Sequence, residues 1–159
     1  MGRSDDWVLL AYRLPRVPST PRSAVWRKLK RLGVAQLGDG LVALPADERT
    51  REQLEWIAEE VTDNQGDAIL WLGRPADSPA EAAIIARMST AIAAEYDAVA
   101  AEAVAMRGAD IPARRRAASR LRRELHRIQA RDYFPTPSGD NARAAVENLA
   151  ATSIAKARA

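Results

Sequence analysis

The rhythm of apolar positions changes near residue 75. Before it, apolar residues come in short blocks divided by turn residues; after it, they recur at three- and four-residue steps. The first block, WVLLAYRLP (residues 7–15), is a near-continuous apolar and aromatic run stopped by proline, which predicts a strand buried on both faces or nearly so. PSTPRSAVWRKLKRLG then carries a helix start, with Thr20 as N-cap and Pro21 at the first helical position. Val25, Leu29 and Leu32 share one stripe of that helix, and Gly33 supplies its stop. VAQLGDGLVALP predicts a hairpin, residues 34–37 and 41–44 about a tight turn at 38–40. Asp47 is placed to cap a second helix that turns Leu54, Ile57 and Val61 inward, keeps an acidic outer side and ends at Gly66. DAILWLG (residues 67–73) is a further short strand, and RPADSP reads as a linker.

The order over residues 6–73 is therefore strand, helix, strand, strand, helix, strand. With right-handed crossovers this predicts an α+β domain, residues 1–75, whose four-stranded antiparallel sheet carries both helices on one face: the ferredoxin-like βαββαβ plan. Residues 76–159 are expected to form an α-helical extension. Ile85, Met88, Ile92, Tyr96, Val99, Ala103 and Met106 keep helical spacing until Gly108 breaks it, which is roughly 40 Å of helix. An arginine-rich helix with Leu121, Leu125 and Ile128 on its apolar stripe follows. A weaker one comes last, capped by Asp140 or Ser138 and carrying Val146, Leu149, Ala150 and Ile154. Helices this rich in alanine pack closely, so an antiparallel pair or triple is expected.

Composition sharpens this picture in three places. Hydrophobic residues make up 47% of the 159, but many are alanine, which favours helices and buries little area. Cysteine is absent and His126 is the sole histidine, which removes thiolate chemistry and disfavours a histidine metal site. No stretch approaches the roughly 20 apolar residues of a membrane span, and MGRSDDW has no signal-like run, so a cytoplasmic protein is expected. Net charge is only +3, yet it is unevenly spread. Residues 1–33 hold eight basic side chains against two acids, residues 34–75 three against nine, and residues 111–135 eight against two.

The second basic segment is the richest candidate for chemistry. In ARRRAASRLRRELHRIQARDYFP, a helix would spread Arg115, Arg116, Arg120, Arg122, Arg123 and Arg127 over a broad outer surface. Guanidinium groups bind phosphate oxygens in pairs and release counterions as they do so, giving sequence-independent affinity for nucleic acid. The same face also suits a small oxyanion, or plain solvation and ion pairing. Arg27, Lys28 and Arg31, with Arg22 and Lys30, form another candidate anion- or nucleic-acid-binding surface, unless the acidic second helix, its neighbour on the same sheet face, neutralises it by ion pairing. His126 reads as a surface residue. Tyr133 and Phe134 of DYFP are expected to anchor the end of the arginine helix by plugging a hydrophobic gap at the domain junction, with base stacking as the lesser reading, and Trp7, Trp26, Trp56 and Trp71 to serve core or interface. No nucleophile elbow or phosphate loop is present. The acidic pairs Asp5/Asp6 and Glu59/Glu60 make poor catalytic dyads, so neither catalysis nor a cofactor is expected.

The set WVLLAYRLP, PRSAVWRKLKRLGV and LGDGLVALP, followed by a long helix and by RRELHRIQARDYFP, resembles the N-terminal domain of ChrB-type chromate-resistance proteins. The first 75 residues also look like the Cas2-like ferredoxin domain of phenylacetate-type repressors. The resemblance implies a bacterial cytoplasmic protein that regulates or assists chromate resistance, with DNA or an oxyanion such as chromate as partner. A homodimer is expected, because a small sheet leaves an open face or edge. The alternative from another class is a non-catalytic oligomeric scaffold whose arginines are ion-paired internally. Longer members carry a further C-terminal domain that these 159 residues do not include. Cas2-type nucleases place an aspartate at the end of the first strand, where Tyr12 and Arg13 stand here, so a metal-dependent nuclease is disfavoured.

Overall fold

The computed structural model describes the backbone of residues 6–157 and the side chains of residues 6–152; Asp5 and the side chain of Ile154 lie outside the described residues. The chain divides into two compact units, one up to Met88 and one from Ser89.

In the first unit, β1 (Trp7–Arg13) buries Val8 and Leu10 completely on one face, while Leu9 and Ala11 stay half-buried on the other. Helix α1 (Thr20–Leu32) keeps Pro21 in its first turn as expected, but its N-cap is Ser19 rather than Thr20, and that side chain makes no capping bond. Proline presets the helical φ and removes an N–H that would otherwise need a cap, so the turn starts without one. Gly33 closes the helix at φ 74°, its N–H bonded 3.0 Å from the Lys30 carbonyl. β2 (Ala35–Gly38) and β3 (Leu41–Pro45) form the expected hairpin.

Helix α2 (Glu48–Asp63) opens with a complete capping box. The Asp47 carboxylate accepts from the Thr50 N–H at 2.7 Å, and the Thr50 hydroxyl accepts from the Asp47 N–H at 3.0 Å. That hydroxyl also donates to the Pro45 carbonyl at 2.6 Å, so a fully buried threonine joins the end of β3 to the start of α2. Leu54, Ile57 and Val61 face inward as the spacing predicted. The expected stop at Gly66 is corrected: the helix ends at Asp63, with Asn64 as C-cap, and Gln65 takes the left-handed turn at φ 63°.

With β4 (Asp67–Gly73) the sheet order is β2-β3-β1-β4, every neighbouring pair antiparallel. β1 and β2 therefore run parallel with β3 between them. Val8 and Leu10 stand opposite Leu44 and Val42 on the core face, over which α2 packs against β1, β4 and α1. On the opposite face the Trp7 indole is buried and donates to the Glu81 carboxylate at 2.9 Å. Leu9, Leu37, Ala43, Trp71 and Ile84 line an apolar cavity of about 440 Å³ beside it. Trp7 thus joins the core as expected. Trp56 and Trp71 do not, being 61% and 58% exposed on the outer side of α2 and on the edge strand.

The second unit is helical, and Ser89, where it begins, lies within the first of its helices. Helix α3 (Ser78–Ala105) starts with the Asp77 carboxylate accepting from the Ala80 N–H at 2.8 Å and passes into a 3₁₀ turn over Met106–Gly108. Helices α4 (Ile111–Gln129) and α5 (Pro137–Ala157) pack against each other. Ile92, Tyr96, Val99 and Ala103 of α3 meet Ala117, Ala118, Leu121, Leu125 and Ile128 of α4 and Ala142, Val146 and Leu149 of α5 in one core. The last helix begins before the expected Ser138 or Asp140 cap. Pro137 supplies the first turn, and Asp140 sits inside it, where its charge meets the positive end of the helix. Among the described residues no helix is long and apolar enough to cross a membrane.

Replacing Asp47 with alanine should lower unfolding stability by about 1 kcal/mol, the usual worth of an N-cap. Thr50→Val should cost more, about 1–3 kcal/mol, because it strips a fully buried position of the hydroxyl that answers both the Asp47 N–H and the Pro45 carbonyl. Urea denaturation of the two variants checks both the order and the size.

Candidate functional site

Helix α4 is built to turn one side inward. Asp110 caps it, accepting from the Ala113 N–H at 2.8 Å, and a proline stands in the first turn. Burying Ala117, Ala118, Leu121, Leu125 and Ile128 along one stripe leaves the remaining positions to solvent. At about 100° per residue, Arg115, Arg116, Arg120, Arg122, Arg123 and Arg127 fall on an outer arc of roughly 160°, centred opposite that stripe. All six are exposed, and so is His126.

The six are not equivalent. Arg120 pairs with Glu102 of α3, which holds its proton more firmly than usual. Arg127 lies 3.1 Å from Glu124 one turn back, and the Arg123 guanidinium donates to the Ser119 hydroxyl at 3.1 Å. Among the described residues, Arg115, Arg116 and Arg122 have no ion-pair partner. A shallow groove of about 680 Å³ runs between Met106, Ala113, Arg115, Arg116, Ser119, Arg120 and Arg123. The Asp110 carboxylate caps the positive end of the α4 dipole, so the positive potential of the outer arc comes from the arginines themselves.

Sequence reading missed Arg114. It follows Ala113 in the same ARRR run, yet only 2% of it is exposed, because it continues the buried stripe of Ala117, Ala118 and Leu121. Its Nε is enclosed without a hydrogen bond, and no carboxylate among the described residues pairs with it. Helical register was the available signal, since position 114 lies three and four residues before two core alanines.

The other basic surface lies on α1. Arg27, Lys28 and Arg31 are exposed, and Lys28 reaches Glu60 of α2 at 2.5 Å, the neutralisation expected between these helices. Lys30 stands over the Trp26 ring, 5.7 Å from its centre. Arg27 and Arg31 have no ion-pair partner among the described residues.

At the far end of α4 the charges are consumed. Arg131 grips Glu95 with both amino groups at 2.5 and 2.6 Å, and the bond raises its proton affinity. The buried Tyr96 hydroxyl donates to Asp132 at 3.1 Å, while Arg143 pairs with Asp140. Burial pushes the Tyr96 hydroxyl up to about 12, with the Asp132 charge and hydrogen bond adding to it against weaker pulls from Arg143 and Arg131. Tyr133 and Phe134 are half-buried beside this cluster in sequence. Among the described residues no three acidic or histidine side chains gather as a metal site would require.

Comparison with known proteins adds a family. Residues 22–107 match the family model of protein ChrB, N-terminal, a span that runs from α1 into the 3₁₀ turn and stops before α4. Protein ChrB of Cupriavidus metallidurans is 34% identical over 76 residues, which are 48% of this chain and 24% of that protein. The matched part thus spans about a quarter of the relative's length.

The Tyr96 hydroxyl yields a pH dependence of known sign. The folded state holds this proton more tightly than the unfolded chain does, so its stabilisation is complete below about pH 10 and lost as pH rises through about 12. Urea midpoints at about pH 9 and about pH 11 should therefore fall more steeply in the parent chain than in Tyr96→Phe. At the lower pH, the variant should be less stable by about 1 kcal/mol for the lost hydrogen bond.

Proposed function

This chain belongs to the ChrB N-terminal family, and we propose that it is a regulatory or accessory protein of chromate resistance that acts by gripping an anionic partner, duplex DNA, with α4. One observation carries the proposal: Arg115, Arg116 and Arg122 stand exposed and without carboxylate partners on a single outer arc. Guanidinium groups that answer no acid among the described residues remain free to answer phosphates. Arg114 supports the same reading from beneath, since its charge is uncompensated by any described acid. Arg120, Arg123 and Arg127 flank the free three and can exchange their present partners for phosphate at small cost, being exposed. Arg27 and Arg31 of α1 offer a second, smaller patch. The protein works, in this reading, in the cytoplasm and by binding rather than by catalysis.

We read the first unit as a ferredoxin-like, Cas2-like domain. The strand order β2-β3-β1-β4, with α1 and α2 as its crossovers, supports that plan. Tyr12 and Arg13 stand at the end of β1, so this reading carries no metal-dependent cleavage. A small oxyanion such as chromate is the second ligand the arc would suit, since paired guanidinium groups bind any tetrahedral oxyanion through the same contacts. The scaffold alternative draws support from Arg120–Glu102 and Arg131–Glu95, where arginines are already spent on acids of α3.

Titration of duplex DNA binding against salt separates these readings. The parent chain should lose affinity steeply, and replacing Arg115, Arg116 and Arg122 together with alanine should reduce the logarithmic slope by about 0.9 for each phosphate contact removed. Chromate added as competitor should displace DNA if both use the arc. No binding at low salt, or a slope that the triple variant leaves unchanged, would leave the scaffold as the better account.

A further inference from the structure

The two edges of the sheet are built differently. β2 is four residues long, and its pairing with β3 is interrupted by a bulge between Gln36 and Gly38, a common way of making an edge unreceptive. β4 is seven residues long and pairs with β1 in unbroken register from Asp67 to Gly73. Its sequence, DAILWLG, holds neither lysine nor proline, so nothing blunts the row of backbone N–H and C=O groups along its free side.

The large apolar side chains of β4 are exposed on both faces at once. Ile69 and Trp71 point to one face and are each 58% exposed; Leu72 points to the other and is 59% exposed. A helix or ligand laid on one face would leave the other wet. A strand added along the edge would approach both.

We infer that β4 is the seam of a two-fold dimer, in which it pairs antiparallel with β4 of a second copy to make one eight-stranded sheet. The strand is complementary to itself in that arrangement. Centred on Leu70, the register sets Ile69 against Trp71 of the partner subunit and Ala68 against Leu72 of the partner subunit, and symmetry repeats each pair. Cross-strand pairs of an aromatic with a β-branched residue are among the stabilising kinds.

Charge follows the same symmetry. Asp67 opens the strand and Arg74 follows its last residue, so antiparallel pairing brings Asp67 beside Arg74 of the partner subunit at both ends. Parallel pairing would set like against like. Among the described residues these two groups pair on the β1 side, Asp67 with Arg13 at 3.6 Å and Arg74 with Asp6 at 3.2 Å. The matched charges favour a second copy over an unrelated strand, because no other partner is bound to carry the mirrored pattern. The inference concerns the first unit alone and stands whether or not α4 binds DNA.

Sedimentation equilibrium of the full chain tests it. The parent chain should reach twice its 17.4 kDa with rising concentration. Ile69→Lys with Leu72→Lys should raise the dimer dissociation constant about tenfold or more, since symmetry removes each contact twice, while circular dichroism and melting show the fold kept. Asp67→Arg alone should weaken the dimer, and Asp67→Arg with Arg74→Asp should restore it. A second, fold-neutral check uses the absence of native cysteine: Ile69→Cys paired with Trp71→Cys in a mixed sample should cross-link between chains, and cysteines placed on β2 should not. A monomer at every soluble concentration overturns the inference, including one that captures an extended strand of another protein. So does a dimer indifferent to the lysines and to the charge exchange.

Discussion

The interaction on which the second unit depends is the contact of one alanine and leucine stripe of α4 with α3 and α5. Leu121, Leu125 and Ile128 supply its bulk, and Ala117, Ala118, Ala103 and Ala142 let the helices approach closely enough for a small core to close. Once that stripe is fixed, rotation about the helix axis is no longer free, and the direction of every arginine on α4 follows from its number. The candidate surface is a by-product of packing in this sense. It needs no loop to shape it, since packing on α3 and α5 sets the backbone position of each arginine.

Within that surface the chain has already sorted its charges. Glu102 and Glu95 of α3 take Arg120 and Arg131 across the helix contact, Glu124 takes Arg127 within α4, and the outward arc keeps Arg115, Arg116 and Arg122 in reserve. The family match spans residues 22–107, from α1 through β4 into the 3₁₀ turn, and the reading of α4 rests on its own geometry. Lys28 and Glu60 show the opposite outcome in the first unit, where two helices of opposed charge pack together and partly cancel.

Much of the fold was legible because each boundary had a local cause. Pro15, Gly33, the Gly38–Gly40 turn and Asp47 all act through their own backbone or side-chain chemistry, and the elements they bound appear where the pattern put them. The misses share a different origin. Gln65 takes a left-handed turn that a glycine next to it would take more easily, because Gly66 is needed elsewhere; no local preference reveals that. Ser19 rather than Thr20 stands at the N-cap of α1, since Pro21 makes the identity of the cap matter less. Trp56 and Trp71 are exposed although their type suggests burial, a fact set by which strand is at the edge and which helix side faces water. For the site, the outward six arginines could be read from helical spacing. Arg114 could not be told from its neighbours by type, only by counting back from Ala117 and Ala118.

Gly66 and Gly40 together constrain the end of the central strand. A methyl group on Gly66 would lie 2.4 Å from the Arg13 carbonyl oxygen, and one on Gly40, at φ 73°, would lie 2.3 Å from that of Tyr12. Successive peptide carbonyls of β1 are thus hemmed in by bare backbone arriving from two separate turns. Random mutagenesis with selection for folded protein would hold both positions at glycine. It would let Gly38, Gly73 and Gly108 drift, since a methyl there meets open space.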